Sequence, residues 1–261
     1  MKISIITPTF NSQETIEDNI NSVIQQDHNN WEQIIVDNLS EDKTLNIVSK
    51  FQSTNITIIS EKDKGIYDAI NKGISKAKGD VISILHSDDF FYDNTSLSSV
   101  SNCFLNHEIS IVFGNLIYVQ KSNKEKIFRY WKSNQYKKGS FFKGWSPPHP
   151  CFFAKKKVYD EFGNYNISLG NSSDFDLMFR FLEINKIKSK HIDKTLVTMR
   201  YGGASNKNFA TILNQNFAIL NILGINRNLF KIAFFIFFKF INRLKQFFIK
   251  PKKINENDYS I

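Results

Sequence analysis

Cysteine is scarce in this chain of 261 residues, which has only Cys103 and Cys151. Two thiols cannot supply the disulfide framework of a small secreted protein, so we expect a reducing compartment. The N terminus shows no signal-peptide pattern, because Pro8 follows only four apolar residues. In the basic C-terminal segment the longest uncharged run is IAFFIFF, far short of the roughly 20 residues that a membrane-spanning helix needs.

A second absence concerns phosphate binding. The turn that follows the first apolar run reads TPTFNS and contains neither GxGxxG nor GxxxxGK[ST]. This argues against a dinucleotide oxidoreductase and against a P-loop NTPase. A diphosphate bound by this chain would instead need a metal ion.

Short β-rich runs alternate with helical patterns through the first half of the chain. We predict strands at 3–7, 32–37, 55–60 and 80–85, and helices at 13–26, 42–52 and 66–77. Asn11 and Glu14 match an N-cap and its capping-box partner for the first helix. Alternation at these lengths predicts βαβ units and an α/β fold, with a mainly parallel central sheet flanked by helices.

Polar residues follow each predicted strand. The clusters are Thr7-Pro8-Thr9, Asp37-Asn38, Glu61-Lys62-Asp63 and His86-Ser87-Asp88-Asp89. Ligands of open α/β sheets bind outside the carboxyl ends of the strands, and adjacent carboxylates there suit a divalent metal. An Asx turn with solvated aspartates is the alternative for the last cluster alone. Four converging polar ends favour a binding site.

These motifs resemble a known family. SIITPTFN, IIVDNLSED, EKDKGIYDAINKGISKAKGD and the strand ending in HSDD match, in order and spacing, the inverting family 2 glycosyltransferases of the GT-A (nucleotide-diphospho-sugar transferase) fold. The resemblance covers roughly residues 1–205. It implies a nucleotide-sugar donor, a divalent metal (manganese or magnesium), and a single displacement by an acceptor hydroxyl.

The resemblance also assigns a donor site. Thr7, Pro8 and Thr9 match the loop against the nucleoside, and Asp37 matches the carboxylate that accepts a hydrogen bond from uracil. Asp88 becomes the main protein ligand of the metal, and His86 the ribose contact, unless it is only a turn residue. The full expected set is Thr7, Pro8, Thr9, Asn11, Asp37, Asp63, Lys64, Asn71, His86, Ser87, Asp88, Arg200 and Ser205.

Three positions depart from the family pattern. Ile70 stands where an arginine often precedes Asn71, so its diphosphate contact would come from Lys64 or Lys72. His86 replaces the first aspartate of the usual Asp-x-Asp metal motif. Ser173 replaces the glutamate of an acidic pair that ends in Asp174.

Asp174 is the expected general base. Apolar residues at helical spacing in NSSDFDLMFRFLEI (171–184) predict a helix with Asp174 in its first turn. Attack on the anomeric carbon requires removal of the acceptor proton, which a carboxylate can accept. The alternative role for Asp174 is ordinary stabilisation of the helix N terminus, and Asp176 is the main rival as base.

Two further segments match the family's acceptor and lid regions. Trp145 and His149, in WSPPHP before the apolar CFFAK, suit a sugar acceptor, and with Ser173 they form the expected acceptor site. A proline-rich turn with a packed tryptophan is the alternative. The glycine-containing loop from Arg200 to Ser205 resembles the loop that closes over the donor diphosphate, unless it is a simple loop.

The C terminus differs in composition from the rest of the chain. Residues 227–253 contain eight Lys or Arg and no acid, in a chain of net charge +9. Their Phe- and Ile-rich pattern predicts an amphipathic helix with a wide apolar face and a basic stripe attracted to an anionic membrane surface. The residues on the polar side of the helical wheel are Lys231, Lys239, Asn242, Gln246 and Lys250. A helix packed on the protein is the alternative. Nucleic-acid binding is disfavoured, because the aromatic residues form one apolar face.

We therefore predict a GT-A domain over 1–210 and a helical, basic extension over 211–261. The expected activity is transfer of a hexose, glucose or galactose, from a UDP-sugar to a lipid-linked acceptor of the N-acetylglucosamine-diphospho-undecaprenol type. Such a step belongs to bacterial O-antigen or capsule assembly, at the cytoplasmic face of the inner membrane. The alternative is a GT-A-like module that has lost transfer and only binds nucleotide or membrane.

Overall fold

Alternating strands and helices build the first half of the chain, as the sequence predicts. The computed structural model describes residues 1–51, 53, 55–121, 123–202 and 209–249. Its first elements are β1 (Ile3–Thr9), α1 (Ile16–Ile24), β2 (Trp31–Asp37), α2 (Thr44–Val48), β3 (Ile56–Ser60), α3 (Ile66–Lys76) and β4 (Val81–Ile84). β1 and β2 are buried along their whole lengths, as is typical of parallel strands covered on both faces.

The remaining elements complete a mixed sheet. They are β5 (Phe90–Phe91), α4 (Ser96–Cys103), β6 (Ile111–Gln120), β7 (Asn123–Trp131), β8 (Phe152–Lys155), α5 (Lys156–Phe162), α6 (Ser173–Phe179), β9 (Ser189–Arg200), α7 (Phe209–Ile222) and α8 (Leu229–Phe248). The nine described strands follow the order β3-β2-β1-β4-β8-β6-β9-β5, with β7 paired to β6.

The sheet is parallel in one half only. β3, β2, β1 and β4 pair in parallel, whereas β8 joins β4 and β6 in antiparallel register. β9 returns parallel to β6, and β5 and β7 add antiparallel pairs. The predicted parallel sheet is therefore correct for the first four strands, and the second half is mixed.

The apolar core lies on both faces of the sheet. One cluster includes Ile6, Ile70 and Leu177 and extends to Phe235 of α8. The other lies beneath α1 and α4 and includes Ile20. These two layers hold the carboxyl ends of the parallel strands along one edge.

The predicted capping box at Asn11 is wrong. α1 begins at Ile16, and its N-cap residue Thr15 makes no side-chain cap bond. Asn11 instead adopts a left-handed backbone with φ of 46°, and its side-chain oxygen accepts a hydrogen bond from the Glu41 N–H. The Asn11 side chain thus joins two loops at the sheet edge, and the chain turns before the helix starts.

The two C-terminal helices pack on the preceding part of the chain. α8 is an amphipathic helix of 20 residues that begins after Asn228, whose side chain accepts a hydrogen bond from the Lys231 N–H. Within the described residues, no helix combines the length and the hydropathy that crossing a bilayer requires.

Candidate active site

The first part of the site lies at the ends of β1 and β2. Thr9 is the register partner of Asp37, and Asp37 is the partner of Ser60 on β3. Thr7, Pro8 and Thr9 are buried, and the exposed surface begins with Phe10. The three residues predicted to contact the nucleoside therefore lie buried beneath the surface at the carboxyl end of β1.

Asp37 is fixed by hydroxyl donors. Its carboxylate accepts hydrogen bonds from the Ser40 N–H at 3.0 Å, from the Ser40 hydroxyl and from the Ser60 hydroxyl at 2.8 Å. The carboxylate is therefore held in one orientation at the end of β2. Each carboxylate oxygen has more than one acceptor site, so this anchoring leaves capacity for a further donor.

The loop after β3 is organised by its backbone. The Asp63 N–H donates to Asn38 Oδ1 at 2.8 Å, and the Gly65 N–H donates to Asp63 Oδ1 at 2.7 Å. Gly65 has a φ of +115°, a conformation that favours glycine. In the part of the chain that the structure describes, the Lys64 ammonium is exposed and has no partner.

Lys72, the other cation expected to substitute for the missing arginine, is already engaged. Its Nζ lies 3.0 Å from Glu61 Oε1 and donates to the Lys62 carbonyl at 2.7 Å. The Glu61 partnership raises the pKa of Lys72. Of the two lysines expected to replace the missing arginine, Lys64 is therefore the one whose ammonium is free, among the described residues, to meet a diphosphate.

The turn after β4 is held through its main chain. The buried Asn19 amide donates to the carbonyl oxygens of His86 at 2.8 Å and Asp89 at 2.9 Å. Arg200 Nη1 donates to the Asp88 carbonyl at 2.6 Å. Among the described residues, no hydrogen bond or ion pair engages the Asp88 carboxylate. The turn thus presents Asp88 while its backbone is fixed.

Two buried groups beside Asp88 have no hydrogen-bond partner among the described residues. They are His86 Nδ1 and the carboxylate of Asp89. Burial raises the pKa of Asp89 well above its usual value, with the Asp88 charge as a second cause. Burial lowers the pKa of His86 despite the nearby Asp88. Burial therefore favours the neutral form of both side chains.

These residues fit a metal that is held mainly by its substrate. No group of three His, Cys, Asp or Glu side chains that could bind a metal occurs within the described residues. Asp88 offers one unengaged carboxylate, and Ser87 Oγ lies 2.8 Å from Ser12 Oγ beside it. Mg²⁺ characteristically takes one or two protein carboxylates and completes its shell with phosphate oxygens and water.

A row of aromatic and imidazole rings leads from this turn to the start of α6. The ring centroids of His86 and His149 are 5.9 Å apart, and His149 Nε2 is 2.7 Å from the Tyr165 hydroxyl. Tyr165 stacks on Tyr67 at 5.5 Å, and the Asp174 backbone is hydrogen-bonded to the Tyr67 phenol. Burial lowers the pKa of His149 to about 3, so this imidazole is neutral.

Asp174 lies in the first turn of α6, as the sequence predicts. Burial raises its pKa to about 6, while hydrogen bonds from the Phe175 N–H and from its own backbone, and the charge of Lys239, act in the opposite direction. A carboxylate with such a pKa is well suited to accept a proton near neutral pH. The rival Asp176 is engaged, because its Oδ2 lies 2.8 Å from Arg180 Nε.

Two other predicted site residues, Ser173 and Asn71, have hydrogen-bond partners within the protein. Ser173 is fully buried, and its hydroxyl is within 2.7 Å of the Asn166 and Gly170 carbonyls. The Asn71 amide pairs with both the N–H and the carbonyl of Tyr165. In this structure Ser173 is closed off from an acceptor, and Asn71 positions Tyr165 without being free for the donor.

Trp145 and Arg200 are also packed. The Trp145 ring makes an edge contact with Phe141 at 5.6 Å, and its Nε1 is buried without a partner. Arg200 is buried and bound to Asp18 as well as to the Asp88 carbonyl, so it supports the turn after β4 and is not free for a diphosphate. Ser205 lies outside the described residues.

Sequence reasoning missed four residues of the site. Asn19 and Tyr165 had no motif to mark them, since their roles depend on segments far apart in the chain. Tyr67 lies inside the GIYDAINKG motif, which could have drawn attention to it. Lys239 belongs to the C-terminal helix, whose polar side the sequence interprets as a membrane-facing stripe.

Similar proteins fall into one family. The sequence matches the profile of Glycosyl transferase family 2 over residues 4–162. A PGL/p-HBAD biosynthesis glycosyltransferase of Mycobacterium bovis is 26% identical over 219 residues, which are 82% of this chain and 81% of that protein. The UDP-Glc:alpha-D-GlcNAc-diphosphoundecaprenol beta-1,3-glucosyltransferase WfgD of Escherichia coli is 35% identical over 114 residues, or 43% of this chain and 45% of that enzyme.

Solved structures define the fold. S. aureus TarS 1–349 in complex with UDP has a TM-score of 0.64 and 18% identity, covering 91% of this chain and 70% of that chain. This chain spans 44% of a longer TarS chain. The mannosyltransferase PcManGT of Pyrobaculum calidifontis, in complex with GDP-Man and Mn²⁺, has a TM-score of 0.62 and 16% identity, covering 85% of this chain and 63% of that chain. The fold is GT-A, and the chain belongs to glycosyl transferase family 2.

Proposed function

We propose that this glycosyltransferase moves glucose or galactose from a UDP-sugar to a hydroxyl of a lipid-linked N-acetylglucosamine-diphospho-undecaprenol acceptor. The observation that carries the proposal is that Asp88 and Asp174 lie at the two ends of the row of aromatic and imidazole rings described above. Asp88 is an unengaged carboxylate, and Asp174 has a pKa of about 6. The similarity to WfgD supports the donor and acceptor classes.

The donor would bind across the carboxyl ends of β1 to β4. Asp37, held by Ser40 and Ser60, would accept from the uracil imide, and Lys64 would approach the diphosphate. Asp88 would hold a manganese or magnesium ion, which when bound would neutralise charge on the leaving diphosphate. The Mn²⁺ present with GDP-Man in the PcManGT structure supports this choice of cofactor.

The acceptor would approach from the side of α6. Asp174 would accept the proton of the attacking hydroxyl as the bond to the anomeric carbon forms, and the UDP oxygen would leave from the opposite face. His149 and Tyr165, both buried, would separate the two ends and limit the entry of water. The result is inversion at the anomeric carbon.

We further propose that residues 1–210 form the catalytic domain and that 211–261 form an extension holding it at the membrane surface. The extension contains α8, whose exposed face carries Phe230, Phe237 and Phe240. Its partner would be an anionic bilayer at the cytoplasmic face of the inner membrane, where a lipid-linked acceptor is confined. Bacterial O-antigen or capsule assembly provides such acceptors.

A donor and acceptor panel tests the proposal. The enzyme is incubated with Mn²⁺, one of several UDP-sugars, and a synthetic short-chain N-acetylglucosamine-diphospho-lipid, and product is measured by mass spectrometry. We expect transfer from UDP-glucose or UDP-galactose and loss of transfer in excess EDTA. Binding of UDP without transfer or donor hydrolysis from any UDP-sugar would instead support the alternative of a module that has lost catalysis.

A further inference from the structure

α8 packs on the catalytic domain with its polar side inward. Lys239 Nζ donates to Asn216 Oδ1 on α7 at 2.7 Å, and Asn242 Nδ2 donates to the Lys143 carbonyl at 3.0 Å. The face opposite these bonds is exposed and apolar. Its members include Leu229, Phe230, Ile236, Phe237, Phe240 and Phe248. The polar stripe that the sequence assigns to lipid headgroups thus contains residues that bind the protein itself.

Gly144 sets how closely α8 approaches. A Cβ atom added at Gly144 would lie 2.5 Å from the Lys239 Cα, a distance at which the helix main chain would have to move. Gly144 also has a φ of +63°. It directly precedes Trp145, so the crossing point of α8 lies beside the segment predicted to form the acceptor site.

Lys239 is connected through α7 to the start of the helix that carries Asp174. Asn216, its hydrogen-bond partner, is adjacent to Gln215, whose carbonyl accepts a hydrogen bond from the Ser172 hydroxyl at 3.3 Å. Ser172 is the N-cap residue of α6, the helix that carries Asp174. One turn of α7 therefore joins Lys239 to the start of the helix that holds the candidate base.

We propose that α8 is a wall of the acceptor site and that Lys239, hydrogen-bonded to α7 beside the N-cap residue of α6, is a positioning residue for Asp174. This inference rests on the proposed role of Asp174 as base. α8 would then have two roles, because the helix that would lie on the bilayer would also contribute to the environment of Asp174. Displacement of α8 would then alter catalysis even with a soluble acceptor.

The charges around Asp174 agree with this role. The titratable groups that interact with it are Tyr67, Tyr165 and Lys239, and the two phenols stay neutral because burial raises their pKa. Burial lowers the pKa of Lys239 to about 8, with the neighbouring Arg243 as a second cause. Lys239 is therefore still charged at the pH near 6 where Asp174 titrates.

The test is the pH dependence of kcat/KM with a short-chain acceptor in detergent, where membrane binding has no influence. For Lys239→Met we expect the acidic limb to move upward by about half to one pH unit, because a favourable charge is removed. Lys239→Arg should restore the limb. Lys245→Met, which removes an exposed charge from the same helix, is the matched control and should leave it in place.

A second pair of variants tests the close contact between α8 and Gly144. Gly144→Ala should shift the limb in the same direction as Lys239→Met. Gly139→Ala should not, although Gly139 has a similar φ of +81°, because no atom lies within 4 Å of its added Cβ. This inference alone would be overturned if the wild type is active and Asp174→Asn loses turnover, but the acidic limb of the pH profile does not move in Lys239→Met. An inactive wild type would instead contradict the proposed function.

Discussion

Arg200 donates a hydrogen bond of 2.6 Å to the main-chain carbonyl of Asp88, a residue 112 positions earlier in the chain. The same guanidinium binds the Asp18 carboxylate and lies over the Phe90 ring at 4.9 Å. The last residue of β9 is therefore fastened to the turn that carries the candidate metal ligand. A cation that the sequence assigns to the diphosphate instead supports the geometry of Asp88.

Replacement of Arg200 should destabilise the protein and weaken metal use together. Arg200→Met leaves the Asp88 carbonyl without its side-chain donor, and Lys124 becomes the remaining partner of the partly exposed Asp18. We therefore expect a loss of about 2 kcal/mol in the free energy of unfolding. The Mn²⁺ concentration for half-maximal activity should also rise. Lys188→Met, which removes an exposed ion pair with Glu108, should change the free energy of unfolding by less than about 0.5 kcal/mol. Equal effects of the two substitutions in urea titrations would argue against this role of Arg200.

Asp88 and Asp89 are adjacent carboxylates with different expected roles. Asp88→Ala should abolish transfer and metal-dependent UDP binding, while circular dichroism shows a retained fold. Asp89→Asn should keep most of the activity, because burial raises the pKa of Asp89 and favours its neutral form, and an amide has nearly the same shape. Titration calorimetry with UDP and Mn²⁺ distinguishes the two. Loss of metal-dependent binding in Asp89→Asn would mean that Asp89 also ligates the ion.

The raised pKa of Asp174 predicts a pH dependence of stability. Its pKa rises from 3.8 to about 6 on folding, so between these values the folded state holds a proton that the unfolded state has released. Stability then falls as the pH rises, and the cost is complete above pH 6. Asp174→Asn removes this cost, and we expect the variant to be more stable than the wild type at pH 7.5 by about 1 kcal/mol. This value is smaller than the full linkage free energy, because the Asp174 side chain is partly exposed to solvent. Thermal unfolding at pH 4 and 7.5 measures the difference, which should nearly vanish at the lower pH.

The exposed face of α8 predicts that membrane binding can be weakened by mutation without destabilising the fold. Phe237 and Phe240 are 59% and 63% exposed, so replacing both by Ser should reduce vesicle flotation several-fold with little loss of stability. Phe235→Ser, at a fully buried position on the same helix, should instead destabilise the protein. Binding should require anionic lipid and weaken with salt. Equal flotation of wild type and double variant would contradict the docking of this face.

The sequence predicts the parallel half of the fold well, because each strand there is a short β-rich run followed by a polar turn. β8 illustrates where prediction stops. Its four residues pair antiparallel with β4 and β6, and nothing in CFFAK specifies those partners. The placement of β8 in turn brings His149 beside His86, a contact that depends on chain segments far apart.

Within the site, motifs predicted positions better than roles. Asp37, Asp88 and Asp174 lie where the predicted elements put them, since each follows directly from a strand end or a helix start. Ser173 and Asn71 were expected to face ligands. The Ser173 hydroxyl instead donates to backbone carbonyls of the turn just before α6, and the Asn71 amide binds the backbone of Tyr165, 94 positions later in the chain. Such partners follow from tertiary packing, which local spacing does not encode.

Turnover of Asp174→Asn, compared with Asp176→Asn, tests the central claim most directly. The assay measures transfer from the active UDP-sugar to the short-chain lipid acceptor, with donor affinity determined separately by titration. Asp174→Asn should lower kcat by roughly 10²–10⁴ with donor affinity almost unchanged, because the amide cannot accept the acceptor proton. Asp176→Asn should lose only its ion pair with Arg180 and retain activity within a few-fold. Full turnover in Asp174→Asn, or the large loss in Asp176→Asn instead, would contradict the assignment of the base.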